Sequence, residues 1–143
     1  MSKEQKIQYK TMSIKADSDD KREFTAMITD ESIDRDNEVL LASGMSKKDF
    51  LKNGIILFNH NPDLPIGTAT ALRRSGDGWK ATGRIAEGVQ KAEDVWQLLK
   101  QNILKAVSVG FKVDEMRVPT KKDIADFGKG VTNIISKWTL LEF

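Results

Sequence analysis

Apolar and polar residues alternate in several short runs along this chain, and each such run predicts a strand with one buried face. From Tyr9 to Ala16 the alternation is loose, carried by Tyr9, Met12 and Ile14, and Asp17-Ser18-Asp19-Asp20 reads as the turn that follows. Arg22 to Thr29 alternates more strictly, with Phe24, Ala26 and Ile28 on one side, and is expected to pair with the first strand. Val39 to Ala42 predicts a short strand. Ser46 reads as the cap of a short helix that Asn53-Gly54 ends. Ile55-Ile56-Leu57-Phe58 is a continuous apolar run, as in a strand buried on both faces.

Two runs joined by Ser75-Gly76-Asp77-Gly78, Ile66 to Arg74 and Trp79 to Ile85, predict a β-hairpin whose glycines supply positive-φ positions. The period then changes. Ala92, Val95, Trp96, Leu99 and Ile103 recur every three or four residues, with Glu93 and Asp94 early and Lys100 late, which predicts a helix with one buried face. Ala106 to Val113 returns to a period of two: Val107, Val109, Phe111 and Val113 share one face, while Ala106, Ser108 and Gly110 share the other. The charged segment from Glu115 to Gly130, with Pro119, reads as an excursion or mobile loop. Val131 to Phe143 closes the chain as a strand placing Trp138, Leu140 and Glu142 on one face. Residues 1 to 8 are expected to fray, and 9 to 143 to form one domain.

Composition narrows the chemistry. The chain has 143 residues, 23 basic against 21 acidic, spread without a basic stripe, which argues against a nucleic-acid binder. No apolar run is long enough to span a bilayer and the start leads into no signal-like segment, so no membrane partner and a cytoplasmic setting are expected. The absence of cysteine excludes disulfides, thiolate nucleophiles and cysteine zinc sites. Asp34, Asp36 and Glu38 stand at alternate positions, but a calcium loop opening at Asp34 would need glycine and glutamate where Val39 and Met45 stand. A polar turn is the expectation there, with no metal and no cofactor.

The single histidine, His60, lies in Phe58-Asn59-His60-Asn61 just before Pro62 and Pro65, at the exit of a predicted strand. Imidazole exchanges protons near neutral pH and can activate a serine hydroxyl when a third group fixes its tautomer. Ser108, on a face of small residues, is the best partner by sequence. Without a second histidine, the orienting group is a carboxylate or a neutral acceptor. A lone histidine beside prolines is otherwise a hydrogen-bonded loop residue, and a serine a structural one.

The ordered set Asp34-Arg35-Asp36, Leu57-Phe58-Asn59-His60-Asn61 with Pro65-Ile66-Gly67, Trp79, Val95-Trp96 with Leu98-Leu99, Ala106-Val107-Ser108-Val109-Gly110-Phe111, and Leu140-Leu141-Glu142 resembles the tailed-phage prohead maturation protease family of HK97-like phages. The resemblance covers residues 9 to 143. It implies a mainly β, α+β fold, an antiparallel β-barrel with flanking helices similar to herpesvirus assemblin proteases. It implies Ser108 as nucleophile, His60 as general base and Glu142 as third member, with backbone N–H groups of Val109 or Gly110 as oxyanion donors. Glu142 otherwise reads as a terminal carboxylate facing water. The implied substrates are capsid or scaffold segments inside the immature shell and the protease itself, and a homodimer is expected by fold analogy. Family members continue beyond this acid, which implies a C-terminus shortened by truncation or self-processing. A catalytically inactive capsid-assembly or scaffold module is the competing reading.

Overall fold

In the computed structural model, residues 7–13, 15–18, 22–104 and 106–143 are described. The strands are β1 (Ile7–Ser13), β2 (Lys15–Ser18), β3 (Glu23–Thr29), β4 (Glu38–Leu40), β5 (Met45–Ser46), β6 (Ile55–Leu57), β7 (Pro65–Ser75), β8 (Gly78–Ile85), β9 (Ala106–Arg117) and β10 (Asn133–Glu142). The helices are α1 (Lys48–Lys52), α2 (Gln90–Lys100) and α3 (Lys121–Phe127). Mainly β structure with few helices matches the expected class. The barrel does not: the strands form two five-stranded sheets, one ordered β1-β9-β10-β4 with β5 also on β10, the other β2-β3-β8-β7-β6. Among the described residues no ladder closes them into a ring; the N–H of Leu57 in β6 reaches the carbonyl of Phe143 at 2.9 Å, a single bond where a closed barrel needs a ladder.

The first two strands pair differently from expectation. β1 lies antiparallel to β9, and it is β2 that pairs with β3, so the chain changes sheet between Ser13 and Lys15. The side chains of Tyr9, Met12 and Ile14, which carry the alternation of the expected first strand, lie outside the described residues, as do residues 1–6 of the predicted frayed start and Asp19 and Asp20 of the predicted turn. Ile7 and Gln8 already belong to β1, and Asp17 and Ser18 to β2.

Between the sheets lies the main core, with Phe24, Ile28, Phe111, Trp138 and Leu140 each at most 1% exposed. Phe111 and Trp138 meet edge to face at 5.6 Å, a geometry that adds about 0.5–1.5 kcal/mol to the burial itself. A smaller cluster of Val39, Val131 and Ile134 packs against Phe127 of α3.

The hairpin forms as predicted. Gly76 takes a left-handed φ of 57°, but Gly78 is needed for closeness instead: a Cβ there would stand 2.2 Å from the carbonyl oxygen of Thr29. Helix α2 buries Ala92, Val95, Trp96 and Leu99. Ile103 is not part of that face and is 60% exposed, because Asn102 at φ 60° turns the chain out of the helix.

Four further expectations are corrected. Ser46 is not a helix cap but pairs with Thr139 in β5, and α1 starts from Lys47 with no side-chain cap. The strand predicted over Val39 to Ala42 is β4, which starts one residue earlier and ends two residues earlier, and Ala42 opens a 3-10 turn held by the indole N–H groups of Trp79 and Trp138. β4 and β5 both run parallel to β10, which an antiparallel scheme did not anticipate. Of the run Ile55 to Phe58, Ile55–Leu57 form β6 at the edge of its sheet and Phe58 opens the following turn; only Ile56 is fully buried, not the whole run.

The segment 115–130, expected to be a loop, carries the end of β9 and helix α3. A capping box nucleates α3: Thr120 Oγ1 accepts from the Asp123 N–H, and the Asp123 carboxylate accepts from the Thr120 N–H. Arg117 also binds Asp123 through two N–H groups. The pairing holds the Asp123 carboxyl well below the usual carboxylate range.

Candidate active site

His60 is presented by an unusual piece of backbone. β6 ends where Leu57 faces Pro65, a residue with no N–H to extend the ladder. Phe58–His60 then forms a 3-10 turn in which Asn59 and His60 both take left-handed φ values, 52° and 55°. Each such residue costs an L-amino acid about 1–2 kcal/mol, least for Asn. The loop is held by Phe58 N–H to Leu64 O (3.0 Å), Asn61 N–H to Phe58 O (3.0 Å), Leu64 N–H to Asn61 O (2.9 Å) and Asp63 N–H to the Asn61 side chain (2.9 Å).

Glu142 approaches from the other sheet as the last residue of β10. A register shift between Leu140 and Glu142 sets it opposite Gly110, which has no side chain to compete for the space. His60 Nδ1 and Glu142 Oε1 stand 2.5 Å apart. Their side chains retain only 23% and 15% of their exposure, so Glu142 is not the water-facing carboxylate of the alternative reading. Burial pushes the Glu142 carboxyl above its ordinary value, and the His60 contact pulls in the opposite direction. Its second oxygen, Oε2, is buried with no hydrogen-bond partner among the described residues.

Phe143 fixes the acid from behind. It is 2% exposed, with ring centroids 5.6 Å from Phe50 and 6.5 Å from Phe24, while its carbonyl takes the Leu57 N–H. The strand bearing the acid is thereby tied directly to the strand delivering the imidazole. The sequence alone assigns no separate role to Phe143 or to Asn59. Asn before His was the readable sign of a left-handed turn.

Ser108 sits in β9 opposite Thr11 of β1, half-buried, between the buried Val107 and Val109. It lines a cavity of about 170 Å³ together with His60 and Asn59. Ser108 and His60, 48 positions apart in the chain, thus share one cavity, and Glu142 holds the imidazole. Val109 and Gly110 face Lys10 and Tyr9 of β1, and Gly110 also faces Glu142.

Chemically, a carboxylate on Nδ1 selects one tautomer: Nδ1–H donates to Oε1, and Nε2 becomes the proton acceptor. The acidic trio lies elsewhere. Asp34, Asp36 and Glu38 bring carboxylate oxygens within 4.8 Å of one another, but Asp34 Oδ1 accepts the N–H groups of Asp36 (2.9 Å) and Glu38 (3.0 Å), as in the predicted polar turn. Burial, followed by Asp34 and Asp36, pushes the Glu38 carboxyl up.

Comparison with known proteins agrees with this architecture. The model of the family described as caudovirus prohead serine protease matches residues 10–142. The capsid polyprotein of Pseudomonas phage PAJU2 is 26% identical over 113 residues, covering 75% of this chain and 16% of that protein. The prohead protease of Escherichia phage T5 is 33% identical over 85 residues, covering 57% of this chain and 40% of that protein. The chain therefore spans less than half the length of either curated relative. The solved structure of the bacteriophage T4 capsid assembly protease superposes with a TM-score of 0.72 at 11% identity, covering 98% of this chain and 95% of that one, a likeness of fold.

Proposed function

The chain belongs to the caudovirus prohead serine protease family, and from that premise we propose that it is a serine endopeptidase of phage capsid maturation, with Ser108, His60 and Glu142 as its catalytic residues. The observation that carries this reading is the 2.5 Å contact between His60 and Glu142 at a cavity that Ser108 also lines. Its substrates are segments of capsid or scaffold protein, and the protease itself, inside the immature shell.

In the proposed reaction His60 Nε2 takes the Ser108 proton as Oγ attacks the scissile carbonyl. The imidazolium is stabilised by Glu142 and then returns the proton to the leaving amine. Water, activated by the same nitrogen, releases the acyl group from Ser108. The oxyanion donor is assigned to the N–H of Val109 or Gly110, whichever the ladders to β1 and β10 leave unused. No step requires a metal or cofactor.

Coexpression with the cognate capsid protein tests the assignment. Cleaved product is expected with the wild type and absent with Ser108→Ala and with His60→Ala, both checked for folding by circular dichroism. Unchanged cleavage in both folded variants overturns the site. A wild type that neither cleaves nor takes up a fluorophosphonate probe points to the inactive assembly module.

A further inference from the structure

We propose that the cavity beside Ser108 is a selectivity pocket that receives one aliphatic or aromatic side chain of the bound peptide. This rests on the protease reading for its purpose, but its walls argue for themselves. Among the described residues on the lining, the polar side chains are Asn59, His60 and Ser108; the other twelve are apolar and none of these is charged. A carboxylate or ammonium group entering would be stripped of water against walls that, among the described residues, offer it few polar partners, which is costly, whereas a hydrocarbon group loses nothing.

The size is selective too. A void of about 150 Å³ walled by Leu, Ile and Phe accepts a benzene-sized guest. The cavity here, about 170 Å³, accommodates one leucine-, methionine- or phenylalanine-sized side chain.

Its origin lies in the fold. The sheets do not close into a ring, and where β6 ends and β9 begins they stand apart, with α2 as one wall through Val95 and Leu99 and Phe143 as another. Arg22 pins that helix: its guanidinium binds Glu93 at 3.1 Å and the Ala86 carbonyl at 2.7 Å. The wall is therefore preformed. Ala106 is exposed and two residues before Ser108 on the same strand face, which makes it the doorstep. Leu104 is half-buried, lies outside any helix or strand and packs against the edge of the main core, so its exchange is read together with a folding check. An apolar residue reaching past Ala106 brings its neighbouring peptide bonds to the Ser108 hydroxyl.

Two measurements on the full chain separate this proposal from the protease reading. In the first, N-acetyl-leucinamide and N-acetyl-aspartamide are titrated while the methyl signals of Val95, Leu99 and Leu104 are followed by NMR. Saturable shifts with the leucine compound alone support the pocket whether or not the protein cleaves anything. Equal shifts with both, or none, overturn it. In the second, a peptide library is cleaved by wild type, Ala106→Leu and Leu104→Ala, with melting curves as the folding check. Pocket selectivity of this kind is worth at least about tenfold between Leu and Ala at one substrate position. Ala106→Leu is expected to abolish that preference through KM, and Leu104→Ala to move it toward larger side chains. Efficient cleavage with no apolar preference at any position overturns the pocket and leaves the protease reading standing. Methyl shifts without cleavage do the reverse.

Discussion

Nδ1 of His60 and Oε1 of Glu142 meet at 2.5 Å although 82 positions separate them in the chain, and they come from different sheets. The contact lies beside the bond from the Leu57 N–H of β6 to the Phe143 carbonyl, which joins the end of the edge strand to the end of the chain. Breaking it has separable effects on chemistry and on folding.

Glu142→Gln preserves the shape of the acid but offers an amide that can donate to Nδ1 and favour the wrong tautomer. Turnover is expected to fall roughly a hundred- to ten-thousand-fold without reaching zero, by analogy with other orienting acids, with KM little changed. Steady-state kinetics on a capsid-derived peptide check this. Wild-type turnover would point to another acid or to water as the orienting group.

The pH response has a defined sign. Burial raises the Glu142 pKa above 4.5, with the His60 contact opposing. Below the unfolded value the carboxyl is protonated in both states and its stability contribution is complete. As pH rises through the higher folded value, the unfolded chain has already ionised and that contribution is lost. The stability of the wild type relative to Glu142→Gln is expected to decline as pH rises past the ordinary carboxylate value, followed by urea denaturation at a series of pH values. The carbon-13 signal of the Glu142 carboxyl should titrate above 4.5; a midpoint at or below that value contradicts the assignment.

Asn59 tests the backbone that aims His60. Asn59→Val, a branched residue at φ 52°, is expected to lose at least about 1–2 kcal/mol of stability and to reduce cleavage. Asn59→Gly is expected to stay within about 1 kcal/mol of wild type, because glycine adopts this region without a Cβ penalty. Equal melting temperatures for the two variants would show that the left-handed turn places no demand on the side chain.

Phe143 is expected to matter for both folding and chemistry. Phe143→Ala removes a ring held between Phe24 and Phe50, a change that costs about 3–5 kcal/mol in comparable cores. Activity should fall further than the folded fraction does, since the residue also anchors Glu142. Proportional losses, measured by activity against urea-calibrated folded fraction, would confine Phe143 to the core.

Local periodicity along the chain determined the clearest elements: the hairpin, the buried face of α2, and the alternation that turns Val107, Val109 and Phe111 inward beside Ser108. These patterns are readable because a helix or strand buries one face whatever its partners are. The ordered motifs also indicated the family. What lay beyond reach was pairing. Nothing local says that β1 joins β9 rather than β3, that β4 and β5 run parallel to β10, or that the sheets stay open and leave a cavity. Helix α3 does not stand out in the sequence although Thr120 and Asp123 carry its cap, because the segment is charged and flanked by Pro119 and Gly128. Glu142 shows the division most clearly. By sequence it is an acid on the last strand, equally suited to face water. Only the packing of Phe143 and the crossing of β6 and β10 bury it against His60, because burial is set by what the rest of the chain brings to that place.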